Sequence, residues 1–157
     1  MTAMDGVTLD EDRDTVSATA IVEAPAPAIF DLLRRPAVHE RINGDGSVQG
    51  TWDGPAVIGP GSRFGMRMRL GLPYRVHSTV VEYEQDRVIA WHHFMGHRWT
   101  WRLEPADEQR STVTETFDLS SAKAVFILRL MGYPGRHRDN VARSVANLRQ
   151  LAETAPG

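Results

Sequence analysis

A carboxylate carried inward among apolar residues, with histidines in reach, is the arrangement in this sequence that could do chemistry. Glu115 belongs to the alternating run Val113, Glu115, Phe117 and Leu119, set against Thr112, Thr114, Thr116 and Asp118. The two-residue period of a strand puts each set on one face, so the apolar set takes Glu115 inward with it. An ionised carboxylate in such surroundings is costly unless it is paired or hydrogen-bonded. His77, His93 and His97 are its candidate neighbours. Burial raises a carboxyl pKa toward neutrality, where a histidine already titrates, so Glu115 with His93 or His97 could exchange protons with a bound carbonyl compound without any cofactor. That is the step an aldol-type ring closure or a dehydration needs. The plainer alternative is structural: Glu115 near an open end or satisfied by an arginine or Tyr83, with the histidines half in water.

Other chemistries find little support. His92 and His93 are adjacent, and on a regular strand they point to opposite faces and cannot share an ion. His93, His97 and Glu115 lack a recognisable metal-site spacing, so no metal is expected. The chain has no cysteine, which excludes disulfides, thiol nucleophiles and thiolate sites. Gly59, Pro60 and Gly61 lack the lysine and helix of a phosphate loop and read as a turn, and there is no G-x-S-x-G motif. A net charge of -2 gives no general attraction to nucleic acid or anionic membrane. Arg63, Arg67, Arg69 and Arg75 form a basic patch, but single-stranded nucleic acid also needs aromatic platforms, and the aromatics lie on the opposite face. The first ten residues show no basic, apolar signal sequence, so the expected location is the cytoplasm.

Alternation also nominates the walls of a site. His97, Trp99, Trp101 and Leu103 oppose Arg98, Thr100 and Arg102, while Phe64, Met66, Met68 and Leu70 oppose Arg63, Arg67 and Arg69. A turn through Phe94, Met95 and Gly96, with Gly96 at positive φ, would set His93 against His97 and Trp91 against Trp99. A loop of two or four residues would reverse that choice. The candidate ligand contacts are therefore Phe64, Met66, Met68, His77, Tyr83, Trp91, Trp99, Trp101 and Phe117, joined by Phe126 and Leu130 from the last helix. Methionines suit such a wall because they adapt to ligand shape, although a stripe of this composition is also what an ordinary core looks like.

The element that must hold these strands is a long C-terminal helix from Ser121 to Glu153, interrupted at Gly132, Tyr133, Pro134 and Gly135. Its second half has one apolar face, with Val141, Val145, Leu148 and Ala152 spaced i, i+4, i+7 and i+11. Its first half, Ala124 to Met131, is apolar nearly all round and needs covering by protein, a partner or a ligand. It is far shorter than the roughly 20 residues that span a bilayer, so stable membrane insertion is not expected. Upstream, an alternating strand from Thr15 to Ala24 leads into two short helices, about Pro27 to Pro36 and Ala37 to Ile42. Six strands follow, at Ser47–Trp52, Ser62–Leu70, Tyr74–Glu84, Arg87–Phe94, His97–Leu103 and Thr112–Leu119. Their short connections imply antiparallel neighbours. The expected architecture is α+β, a seven-stranded curved antiparallel sheet around the C-terminal helix in the order β-α-α-β6-α. It forms a single domain over residues 1–157, with residues 1–12 as a loosely ordered acidic lead-in. A bent sheet and a straight helix leave space between them, the usual setting for a small-molecule site.

The stretches SATAIVEAPAPAIFDLL with PAVHERI and DGS, GSRFGMRMRLGLPYR, VVEYEQDRVIAWHHF, HRWTWRLEP, STVTETFDLS, GYPGR and NVARSVANLRQLAE, in this order and spacing, resemble the START-like, or helix-grip (SRPBCC), superfamily. The similarity is to its bacterial polyketide cyclase/dehydratase-like branch. The resemblance implies a cavity for a hydrophobic small molecule such as a lipid, polyketide or aromatic metabolite. It implies no particular reaction, because members range from carriers and receptors to aromatic-ring cyclases. The alternatives are a cofactor-independent cyclase or dehydratase, and an interaction module with a filled core whose exposed half-helix is covered in a homodimer.

Overall fold

The structure, a computed structural model, describes residues 5–93, 96–120, 125–130 and 137–154. Eight antiparallel strands form one sheet in the order β1-β2-β8-β7-β6-β5-β4-β3. They are β1 (Thr8–Glu11), β2 (Thr15–Val22), β3 (Val48–Asp53), β4 (Arg63–Leu70), β5 (Leu72–Glu84), β6 (Val88–His92), β7 (Arg98–Pro105) and β8 (Ser111–Asp118). The chain leaves β2, passes through helix α1 (Ala26–Leu33), a 3-10 turn at Pro36–Val38 and helix α2 (His39–Ile42), and re-enters at the opposite edge as β3. From there β3 to β8 zigzag back until β8 pairs with β2. After β8 come helices α3 (Val125–Leu130) and α4 (Arg138–Thr154). The anticipated helix break at Gly132–Gly135 lies outside the described residues.

The eighth strand is a correction to the expected loose lead-in. Thr8–Glu11 pairs with Val16–Thr19 because Asp12 closes the intervening turn, its carboxylate accepting the N–H groups of Asp14 and Thr15 at 2.9 Å each. Val7 and Leu9 then pack against the core, and Glu11 forms an ion pair with Arg138 of α4. Acidic composition hid this strand, since its stabilising partners lie far along the chain.

The core sits between the concave sheet face and α4. Val16, Ala18, Ala20 and Val22 of β2 are buried together with Val141, Val145 and Leu148 of α4, none of these three showing any exposure. The alanines leave room for the helix backbone to approach β2. At the other side of α4, Ile29, Phe30 and Leu33 of α1 fill the end of the sheet, completely buried or nearly so. Asn147 donates its side-chain N–H to the Ile42 carbonyl at 3.1 Å and ties α2 to α4. Among the described residues no helix is long and apolar enough to cross a membrane.

Candidate ligand cavity

Where the sheet curls away from α2 and the start of α4, a cavity of about 340 Å³ remains. Phe64, Met66 and Met68 of β4 form one wall, and Trp91, Trp99 and Trp101 of β6 and β7 form another. His39 and Ile42 of α2, with His137, Asn140 and Ser144 at the start of α4, close it from the helical side. Leu70 and Tyr74, near the turn of the β4–β5 hairpin, line the cavity while remaining 65% and 40% exposed, so they mark its mouth.

Strand pairing explains this convergence. Trp91 lies directly opposite Trp99, and Trp101 directly opposite Glu115. Gly96 takes φ +84, which an L side chain rarely adopts, and its N–H bonds to the His93 carbonyl at 2.9 Å. His93 therefore meets His97, with ring centroids 5.2 Å apart, in the arrangement expected from a three-residue turn; Phe94 and Met95 themselves lie outside the described residues. His93, His97 and Glu115 all line the cavity.

They are not, however, one cluster. The first pair of β7 and β8 is Arg98 with Asp118 and Glu115 lies opposite Trp101, so Glu115 and His97 lie about 14 Å of strand apart, with Phe117 on the step between them. At one end Glu115, 4% exposed, has a carboxyl oxygen, Oε2, without a hydrogen-bond partner. Burial pushes its pKa well above the usual carboxylate range, the Ser144 hydroxyl pulls it down, and the charge of Asp45 adds to the rise. At the other end His93 accepts or donates a 2.7 Å hydrogen bond with Ser78 through Nδ1. Burial, reinforced by His97 and His92, holds the His93 pKa down at about 3. Burial and then His92 lower that of His97, whose Nδ1 is buried without a partner. Burial thus favours the neutral form of the carboxyl at one end and of the imidazoles at the other.

Five expected contacts are corrected. His77 points to the opposite face, where its ring meets the Asp53 carboxylate at 3.0 Å and packs on Trp52, itself covered by Arg75 at 4.9 Å. Tyr83 is turned by a register shift between Val80 and Glu82 and packs edge-on against Phe30 at 5.4 Å, outside the cavity. Phe117 is completely buried behind the wall, 4.6 Å from Trp99, and does not line the space. Phe126 and Leu130 of α3 are 69% and 74% exposed and do not line the cavity.

Sequence reasoning missed His39, Asp45, Ser78, His137 and Asn140. Extending the inner stripe of α4 back one turn from Val141 and Ser144 reaches His137 and Asn140, a signal that was present. His39 had none: it is buried by stacking on Trp91, centroids 4.9 Å apart, with Nε2 at 2.7 Å from the Leu33 carbonyl. Desolvation lowers its pKa to about 4. Gly44 brings Asp45 to the site because its N–H donates to both Asn140 Oδ1 and Ser144 Oγ, at 3.1 and 3.0 Å, an approach that a Cβ would block against the Asn140 carbonyl. Among the described residues no group of three or more His, Asp or Glu is arranged to hold a metal ion.

Comparison with known proteins agrees with this architecture. Protein Ms6760 of Mycobacterium smegmatis superposes with a TM-score of 0.66 at 18% identity, over 92% of this chain and 96% of that one. A protein from Arthrobacter aurescens superposes with a TM-score of 0.70 at 15% identity, over 97% and 94%. At these identities the likeness shows a shared fold. The uncharacterised protein Rv0088 of Mycobacterium tuberculosis is 35% identical over 147 residues, which is 92% of this chain and 66% of that protein, so the chain spans under two thirds of that relative. The model of the family described as polyketide cyclase/dehydrase and lipid transport matches residues 13–153, and the chain belongs to that family.

Proposed function

We propose that the chain binds a hydrophobic small molecule, of the size of a compact aromatic or polyketide-like metabolite, in the cavity between sheet and α4. The observation that carries this reading is the cavity itself. Protein interiors are close-packed, and a space of about 340 Å³ walled by three tryptophans, Phe64 and two methionines departs from that rule. It falls at the lower end of ligand-site volumes, roughly 300–1,000 Å³. A fluorescent apolar probe should bind with quenching of tryptophan emission, and Met68→Trp, which fills the space from its β4 wall, should abolish binding while leaving the circular dichroism spectrum intact. Unchanged probe binding in the filled variant would count against the cavity.

Cyclase or dehydratase chemistry is the second reading, favoured by the opposite pKa shifts of Glu115 and the histidines. Glu115 would act as acid and His97 or His93 as base on separate parts of one substrate, since strand geometry keeps them apart. The interaction-module reading draws on Phe126, Ile127 and Leu130, which are 69%, 56% and 74% exposed on α3. Native mass spectrometry separates it from ligand binding: a dimer that retains no small molecule and takes up no probe would favour the module.

A further inference from the structure

The small-molecule reading of the cavity leaves open what its occupant carries, and the Glu115 end specifies it. Glu115 is 4% exposed, lines the cavity and leaves Oε2 unpartnered. Asp45 lines the same end and is near enough for its charge to act on Glu115. The polar side chains beside them are occupied as acceptors: Asn140 Oδ1 and Ser144 Oγ take the Gly44 N–H, and Asp45 Oδ1 takes the Ser47 N–H at 2.9 Å. No lysine or arginine is among the described residues that line the cavity.

We propose that the cavity takes an apolar organic amine, its aromatic or polycyclic body lying between Trp91, Trp99 and Met66 and its ammonium group seated at Glu115 and Asp45. An ammonium donates to the unpartnered oxygen, supplies a positive charge that no described lining residue carries as lysine or arginine, and is attracted to tryptophan faces. Among the described lining residues a carboxylate or phosphate would meet two carboxyl groups and no lysine or arginine. Binding has a proton balance: burial favours the neutral Glu115 carboxyl, and the proton it holds goes to solvent as the ammonium arrives, leaving a carboxylate–ammonium pair. The other titratable groups facing the cavity are His39, His93, His97 and His137 on its remaining walls and Tyr74 at its mouth.

The test compares three probes with one ring system, 2-naphthylmethylamine, 2-naphthylmethanol and 2-naphthoate, by calorimetry near pH 7 in phosphate and in Tris. The amine should bind about tenfold or more tighter than the alcohol, the gain from one charge-assisted hydrogen bond, and naphthoate should bind least. The amine's enthalpy should differ between buffers by the heat of one released proton. Glu115→Gln should remove the amine's advantage and the proton release while sparing the alcohol, and Asp45→Asn, at an exposed position, should weaken the amine alone. The ranking and the proton count are read on the unaltered protein, so they decide the matter even if a variant fails to fold. Equal affinities without proton release, or tightest binding of naphthoate, would overturn the amine proposal and leave the small-molecule reading standing. Binding of none of the three, nor of an apolar dye, would overturn both.

Discussion

The Ser78 hydroxyl on β5 lies 2.7 Å from Nδ1 of His93 at the end of β6, and both residues line the cavity. Because burial keeps the imidazole neutral, only one of the two atoms donates, and the expected arrangement has Ser78 donating, Nδ1 accepting and the ring proton on Nε2. Nitrogen-15 NMR of the histidine rings should show the Nε2–H form for His93 at pH 7. In Ser78→Ala the other tautomer should gain population with little loss of fold. A His93 already in the Nδ1–H form in the unaltered protein would refute the assignment.

Acid should destabilise the protein through two buried imidazoles. His39 and His93 have folded pKa values of about 4 and about 3, below the ordinary 6.5, so the unfolded chain binds their protons more readily. The stability tied to them is whole above pH 6.5 and is lost as pH falls through that value toward the folded ones. Each contributes a slope of about 1.4 kcal/mol per pH unit within its window. Urea titrations from pH 7 down to 4.5 should show this fall, and His39→Gln should flatten it.

Glu115 acts in the other sense. Its folded pKa is raised, so the stability it contributes is present below the unfolded value of 4.5 and is lost as pH rises toward the folded one. Glu115→Gln should therefore be more stable than the original chain at pH 8, with the gap closing toward pH 4.5. Equal stabilities at both pH values would show that the carboxyl is solvated or paired.

The position of α3 can be checked against the core by two substitutions. Leu148→Ala, at a fully buried site on α4, should cost about 2–5 kcal/mol. Phe126→Ser, at a site 69% exposed, should stay within about 0.5 kcal/mol in the monomer. A large loss at Phe126 would mean that α3 is covered, by a second subunit or by the domain itself.

What the sequence alone determined was whatever repeats with the period of its own element. The stripe Val141, Val145, Leu148 and the alternating sets Phe64, Met66, Met68 and Val113, Glu115, Phe117 are local patterns, and each lands on the face that its period requires. The antiparallel sheet and the inward carboxylate followed from them. Tertiary structure decided whatever depends on register, on bulges or on residues far apart in the chain. The irregularity after Val80 turned Tyr83 toward Phe30, and tertiary packing left Phe126 and Leu130 of α3 exposed. The pairing of Arg98 with Asp118 set His97 and Glu115 at opposite ends of one cavity, because a strand advances about 3.4 Å per residue and alternation specifies only the face, not the distance along it.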